Sequence, residues 1–272
     1  MPEGKANHPV TDITRYEASA CAAFRGKQLP TASQWEGAAR NDADGERAIA
    51  YLYLPNNFSR PLTAINYVPA GDVDGGLRSL PDSMDDRLAP FIKSGRAAFG
   101  VVLKGYIERL RPEGYTEPDP ATVEYLETIV NRVTDLRRGL DYLEARSDVD
   151  ASRVAFFGPS ARAQIGLILA AVETRYRAVV LVGAGLPKYC VPWIAEANPI
   201  NFSAHISGPK LLIQGRYDED TAFKTMAEPL YKLLSEPKRL ALYDGGHVPP
   251  LEFLMSTLNT WLDDTLGAVR RE

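Results

Sequence analysis

From residue 97 onward the chain alternates between two apolar patterns. One is short and continuous. Residues 97–103, 154–157, 178–182, 211–213 and 240–243 run apolar without alternation, as strands do when a sheet is covered on both faces. The other recurs at three and four. Leu126, Val130, Val133, Leu136, Leu140 and Leu143 fall on one face of a long helix over 123–143. Residues 161–170 form a nearly all-apolar stretch of helical length, and 248–266 a last helix. Two earlier strands are expected. Residues 48–54 alternate apolar and aromatic positions before Pro55-Asn56-Asn57, and 62–68 end at Pro69-Ala70-Gly71. Strands alternating with helices predict an α/β fold, a mainly parallel, doubly wound sheet flanked by helices. No internal repeat interrupts this order.

The first 45 residues read differently. Thr14–Glu17 and Thr31–Gln34 each fit a capping box, in which side chains satisfy the free N–H groups of a helix start. Short helices follow around 16–24 and 35–40. Asn41-Asp-Ala-Asp-Gly45 is a polar break, so the reading is a helical N-terminal extension over 1–45 and one α/β domain over 46–272. Two such short helices cannot fold alone. Tyr16, Phe24, Leu29 and Trp35 are expected to anchor them on the larger domain or on a second copy of the chain, which would make a homo-oligomer.

Composition narrows the partners. A formal charge of −4 gives no reason to expect nucleic acid or an anionic membrane surface. No apolar run approaches the roughly 20 residues that span a bilayer. The start, Met1 to His8, lacks the apolar core of a secretory signal. A cytoplasmic protein is the expectation. Cys21 and Cys190 are the two cysteines, too few for a disulfide framework or a cysteine zinc site. With no cluster at metal-ligand spacing, neither metal nor cofactor is expected.

The candidate chemistry lies at the strand exits. The run 153–157 breaks at Gly158, Ser160 follows two residues later, and the helix begins at once. This is the strand–turn–helix setting of a nucleophile elbow. A serine needs a base to take its proton and an acid to orient that base. Of the three histidines, His8 lies in a polar tail and His205 in a loop before a strand. His247 follows a strand through Asp244-Gly245-Gly246, where glycines allow a sharp turn. Asp218, Glu219 and Asp220 compete as the acid. Asp218 leaves its strand first and is favoured, whereas Glu219 and Asp220 suit solvated charges or a helix cap. The oxyanion hole needs two N–H donors; Ala161, next to the serine, and Gly71, after the second strand, are the candidates. Arg162 stands where a second small residue is usual two positions after the serine. It must project away from the turn, along the helix toward solvent or a carboxylate.

The order serine, acid, histidine, each just past a strand, resembles the α/β-hydrolase superfamily, and most closely its dienelactone-hydrolase and acetyl-esterase-like branch. That resemblance implies Ser160, Asp218 and His247 as a triad and puts Tyr106 near the pocket mouth. Dienelactone hydrolases use a cysteine nucleophile. Neither cysteine stands at the elbow, so that activity is not implied. Residues 9–40 resemble the formylglycine-generating enzyme (sulfatase-modifying factor) family. The match lies in Tyr16-Glu17-Ala18, Leu29-Pro30-Thr31, Trp35-Glu36 and Ala38-Ala39-Arg40. The cysteine-bearing C-terminal part of that fold has no counterpart, and no oxidase activity is carried over. Phe91 to Ala97 and Lys104 to Arg109 resemble hydrolase domains fused behind such modules. The functional expectation is a cofactor-independent serine hydrolase of small or short-acyl esters. A peptidase or amidase using the same groups, or a non-catalytic binding domain, are the alternatives.

Overall fold

The structure is a computed structural model, and it describes residues 48–68, 89–109, 116–187 and 191–271. The chain divides into two units, Met1–Ala39 and Arg40–Glu272. The expected N-terminal helices, His8, Cys21, Gly71 and Cys190 lie outside the described residues.

Seven strands form one sheet: β1 (Ile49–Tyr53), β2 (Leu62–Tyr67), β3 (Ala97–Val102), β4 (Val149–Pro159), β5 (Ala178–Val182), β6 (Lys210–Gly215) and β7 (Lys238–Tyr243). Their order is β1-β3-β2-β4-β5-β6-β7. β1 runs antiparallel to β3, and every other pair is parallel. Besides the helical residues 89–93, the described residues form α1 (Val123–Glu144), α2 (Ala161–Val172), α3 (Ile200–Ser203), α4 (Glu228–Leu233) and α5 (Leu251–Leu266).

The continuous apolar runs are explained by two cores, one on each face. Neighbouring residues of a strand point to opposite faces. Phe156, Leu181 and Leu212 join the core that takes Leu136, Leu140 and Leu143 of α1 and Leu167 of α2. Phe157, Val180 and Ile213 join the core that takes Trp261, Leu262 and Leu266 of α5. Such strands have no solvent face to mark with polar residues.

Two helices differ from the sequence expectation. In α1 the buried stripe runs through Tyr125, Ile129, Arg132, Val133, Leu136, Leu140 and Leu143, while Val130 is exposed. The stripe is rotated by part of a turn and takes in Arg132 and Asp135, which pair with Glu117 and Arg109. α5 begins at Leu251, not 248, with Pro250 as its N-cap; Pro249 and Pro250 have no N–H to give to a helix. Among the described residues no helix is long and apolar enough to cross a membrane.

In a parallel sheet the strand exits share one edge, and that edge is where α/β proteins place their sites. Here β4, β6 and β7 deliver Ser160, Asp218 and His247 to it.

Candidate active site

β4 ends at Pro159 and α2 begins at Ala161, so Ser160 alone makes the turn. It does so at φ 52° and ψ −127°, a left-handed region that residues with a Cβ seldom adopt. The turn is held from both sides. The Ser160 N–H donates to the Val182 carbonyl of β5 at 2.7 Å, and the Ser160 carbonyl accepts the Ala163 N–H at 2.9 Å. Gly158 is required by space. A Cβ there would come within 2.7 Å of the Phe156 ring and 2.9 Å of the Arg162 carbonyl.

The structure brings the three expected residues into one hydrogen-bonded chain. Ser160 Oγ lies 2.8 Å from His247 Nε2, and His247 Nδ1 lies 2.9 Å from Asp218 Oδ2. His247 is 22% exposed, whereas the Asp218 side chain is fully buried. Asp220 also approaches His247, but at 3.8 Å and with its side chain 74% exposed. Glu219 faces solvent. Of the three competing acids, Asp218 is therefore the one that meets the imidazole at hydrogen-bond distance.

Asp218 is wrapped by donors. Its Oδ1 accepts the N–H groups of Asp220 and Thr221, both at 2.9 Å. Its Oδ2 accepts the Thr221 hydroxyl at 2.6 Å and Gln214 Nε2 at 2.8 Å, besides His247. Burial by itself would raise the carboxyl pKa, yet the Thr221 hydroxyl and N–H and the nearby His247 hold it at about 2. Gln214 and Thr221 were missed in the sequence. Aspartate followed by threonine three residues on is the pattern of a local side-chain cap, and it marks Asp218 rather than Asp220 as the residue that caps the turn. The following segment is a π-helical turn, Phe223–Ala227, ahead of α4.

The histidine turn departs from expectation in its glycines. Neither Gly245 nor Gly246 takes a positive φ; Gly183, at the end of β5, does, with φ 59°. A Cβ on Gly183 would sit 2.9 Å from His247 Cε1, and one on Gly215 would sit 2.0 Å from the Gly246 carbonyl oxygen. The close approach that seats His247 is made by the exits of β5 and β6, not by its own turn.

Ala161 is exposed beside the serine. As the first residue of α2, its N–H has no acceptor within the helix. The second expected donor, Gly71, lies outside the described residues. Tyr106 is half-buried in the loop after β3, and Arg162 is not directed to solvent. It is 4% exposed, its guanidinium carbon 3.9 Å from the Tyr106 ring centre. Burial lowers its pKa, and Tyr106 offsets part of that effect. His205 is exposed, two residues past the end of α3, and takes no part in the hydrogen bonds that join Ser160, His247 and Asp218.

Among the described residues, the one group with ligand atoms close enough for a cation is Asp218, Asp220 and His247, within 4.8 Å of one another. Two of these, Asp218 and His247, are already joined by a hydrogen bond, and the Asp220 carboxylate lies 3.8 Å from the same imidazole nitrogen. A cation there would take Nδ1 of His247 from Asp218, so the donor set suits proton handling better than metal binding.

Comparison with known proteins bears on the fold and on the N-terminal stretch. A family model for the sulfatase-modifying factor enzyme 1-like domain matches residues 2–66. The match extends past residue 45 through β1 and into β2, which here belong to the sheet. Over 44 residues the chain is 46% identical to the formylglycine-generating enzyme of Streptomyces coelicolor, covering 16% of this chain and 14% of that protein. Over 130 residues it is 32% identical to an uncharacterized protein of Mycobacterium tuberculosis, covering 43% of this chain and 45% of the other. The chain thus spans less than half the length of the curated relatives it matches. Among solved structures it is similar to an acetyl xylan esterase from Paenibacillus sp. R4. The TM-score is 0.63 at 19% identity, over 83% of this chain and 82% of that one. It is also similar to Est1E from Butyrivibrio proteoclasticus, solved with ferulic acid. There the TM-score is 0.60 at 15% identity, over 84% and 98% of the chains. At such identities the likeness is one of architecture. The described residues have the α/β-hydrolase fold, and the chain's N-terminal stretch is similar to the formylglycine-generating enzyme family.

Proposed function

We propose that the protein is a serine-dependent carboxylic ester hydrolase acting on small or short-acyl esters through an acyl-enzyme. The observation that carries this reading is the unbroken hydrogen-bond chain from Ser160 through His247 to a buried, ionised Asp218. It stands at the sheet edge where this fold places its sites. The solved esterases of similar architecture support it.

In the first half-reaction Ser160 Oγ attacks the ester carbonyl carbon as its proton passes to His247 Nε2. Asp218 accepts the Nδ1–H, which fixes the tautomer and favours the imidazolium that forms. The carbonyl electrons move onto oxygen, and the Ala161 N–H meets that charge. Gly71 is assigned as the second donor. When the tetrahedral intermediate collapses, the C–O bond to the alcohol breaks and the alcohol leaves with the proton from His247. Water then gives a proton to His247 and attacks the acyl carbon, and the acid departs as Ser160 regains its proton. No step needs a metal or cofactor.

The test is a panel of nitrophenyl esters from acetyl to long acyl, with matched anilides. Wild type should hydrolyse the short esters fastest. Ser160→Ala should lose on the order of 10⁶ in kcat, as loss of the nucleophile does in a comparable serine enzyme. Faster turnover of anilides would move the reading to an amidase. A Ser160→Ala variant that keeps most of its activity would refute the assignment.

A further inference from the structure

Arg162 stands in the first turn of α2, two residues after Ser160, where the tight turn favours a small side chain. A long cation in that place has to be seated somewhere. Its backbone stays in the turn, with its carbonyl close against Gly158, while the side chain crosses to the loop after β3. There the guanidinium lies over the Tyr106 ring, 3.9 Å from its centre. Taking a cation out of water is costly, so an interior arginine at this position needs a fixed partner.

That partner is itself fixed. Arg132 of α1, also buried, lies 4.8 Å from the centre of the same Tyr106 ring. Both of its Nη groups hydrogen-bond the Glu117 carboxylate, Nη2 to Oε2 at 3.0 Å. Its Nε donates to the Lys104 carbonyl, two residues before Tyr106, at 3.4 Å. One stack therefore joins three elements: the turn that carries Ser160, the loop after β3, and helix α1. His247 arrives from β7, on the opposite side of the serine. A glycine in place of Arg162 could not join this stack.

We propose that Arg162 is a positioning residue for the reaction, holding the Ser160 turn in register with His247 by anchoring it on Tyr106, which Arg132 and Glu117 hold in turn. The inference rests on the reading of Ser160 as the nucleophile. It has a specific consequence. An anchor that acts through Tyr106 loses its effect once Tyr106 is gone, and it bears on the chemical step rather than on substrate affinity.

The experiment is a double-mutant cycle in the full chain, with the ester that wild type hydrolyses best. Arg162→Met keeps the length of the side chain and removes the guanidinium; Tyr106→Leu removes the ring; Tyr106→Phe keeps it. Arg162→Met and Tyr106→Leu should each lower kcat about tenfold, and the double variant should fall no further than either alone. KM should stay within about twofold in Arg162→Met. Tyr106→Phe keeps the ring but removes the hydroxyl that also interacts with Arg162, so it should lose less kcat than Tyr106→Leu. Losses that multiply to about a hundredfold in the double variant would show two independent effects and overturn the proposal. So would an Arg162→Met protein with a lower Tm but unchanged kcat. If Arg162→Met does not fold, the Tyr106 pair decides: a smaller loss in Phe than in Leu supports the anchor, and wild-type kcat in Leu overturns it. A folded wild-type chain whose Ser160 takes no fluorophosphonate label would instead refute the nucleophile reading, and the anchor's role with it.

Discussion

Gly215→Ala offers a test worked from space alone. Gly215 closes β6 opposite Tyr243 of β7. A Cβ added there would lie 2.0 Å from the Gly246 oxygen and 2.6 Å from the Gly245 oxygen. Ordinary contact begins at 3.4 Å, so the turn must retreat by about 1.4 Å. Neither carbonyl is free to do so. The Gly246 oxygen accepts the Tyr243 hydroxyl at 2.6 Å, and the Gly245 oxygen accepts the Tyr217 N–H at 3.0 Å. Overpacking of this kind costs about 1–3 kcal/mol, and each broken hydrogen bond adds about 1 kcal/mol. The residue after Gly246 is His247, so the displacement reaches the imidazole. A misplacement of about 1 Å lowers a rate by about a hundredfold, equivalent to about 2.7 kcal/mol in the barrier. Gly246→Ala is the matched control on the same turn. Its added Cβ meets no atom within 4 Å, and its φ is not in the left-handed region. Steady-state hydrolysis of a short ester and a thermal melt should give Gly215→Ala a hundredfold lower kcat and a Tm several degrees lower. Gly246→Ala should stay within about twofold of wild type. Wild-type kcat in Gly215→Ala, or an equal loss in Gly246→Ala, would refute the reasoning.

Other expectations follow from the same geometry. Asp218→Asn should fold and lose about 10⁴ in kcat, as loss of the orienting acid does elsewhere, while Asp220→Asn should stay near wild type; reversed effects would move the acid to Asp220. Because folding depresses the Asp218 pKa to about 2 from about 3.9 in an unfolded chain, its stabilisation is complete above about pH 4. It is lost as pH falls toward 2. The stability gap between wild type and Asp218→Asn, read from urea midpoints, should therefore narrow across that interval, and a constant gap would contradict the assignment. Gly166→Ala would bring a Cβ within 2.2 Å of the Phe156 ring. It should cost about 1–3 kcal/mol in a denaturant titration, and no change in midpoint would contradict the packing.

The alternation of strands and helices was legible because residues 97–103, 154–157, 178–182 and 211–213 are buried and read as unbroken apolar runs. The candidate site was legible because each of its residues comes within a few positions of such a run. What stayed hidden depends on neighbours distant in the chain. The order β1-β3-β2-β4 is not sequential, and no local pattern encodes it. Arg162 reads as a surface cation until Tyr106, 56 positions earlier, is brought over it. Gln214 looks like one more buried strand residue, and only the folded exit of β6 turns its amide onto Asp218. Val130 satisfies the helical spacing but is exposed, while Arg132 is buried with partners, Glu117 and Lys104, on other segments. Two glycines mark the histidine turn in the sequence, whereas the demanding position, Gly215, closes the neighbouring strand.

The central claim is that Ser160 is a nucleophile activated by His247, and covalent labelling tests it most directly. The folded chain would be treated with a fluorophosphonate probe and the modified residue located by peptide mass mapping. The account predicts one phosphonyl adduct, on Ser160 Oγ, absent in Ser160→Ala and strongly slowed in His247→Ala. A folded wild-type protein that takes no label, or takes it on another residue, would contradict the account.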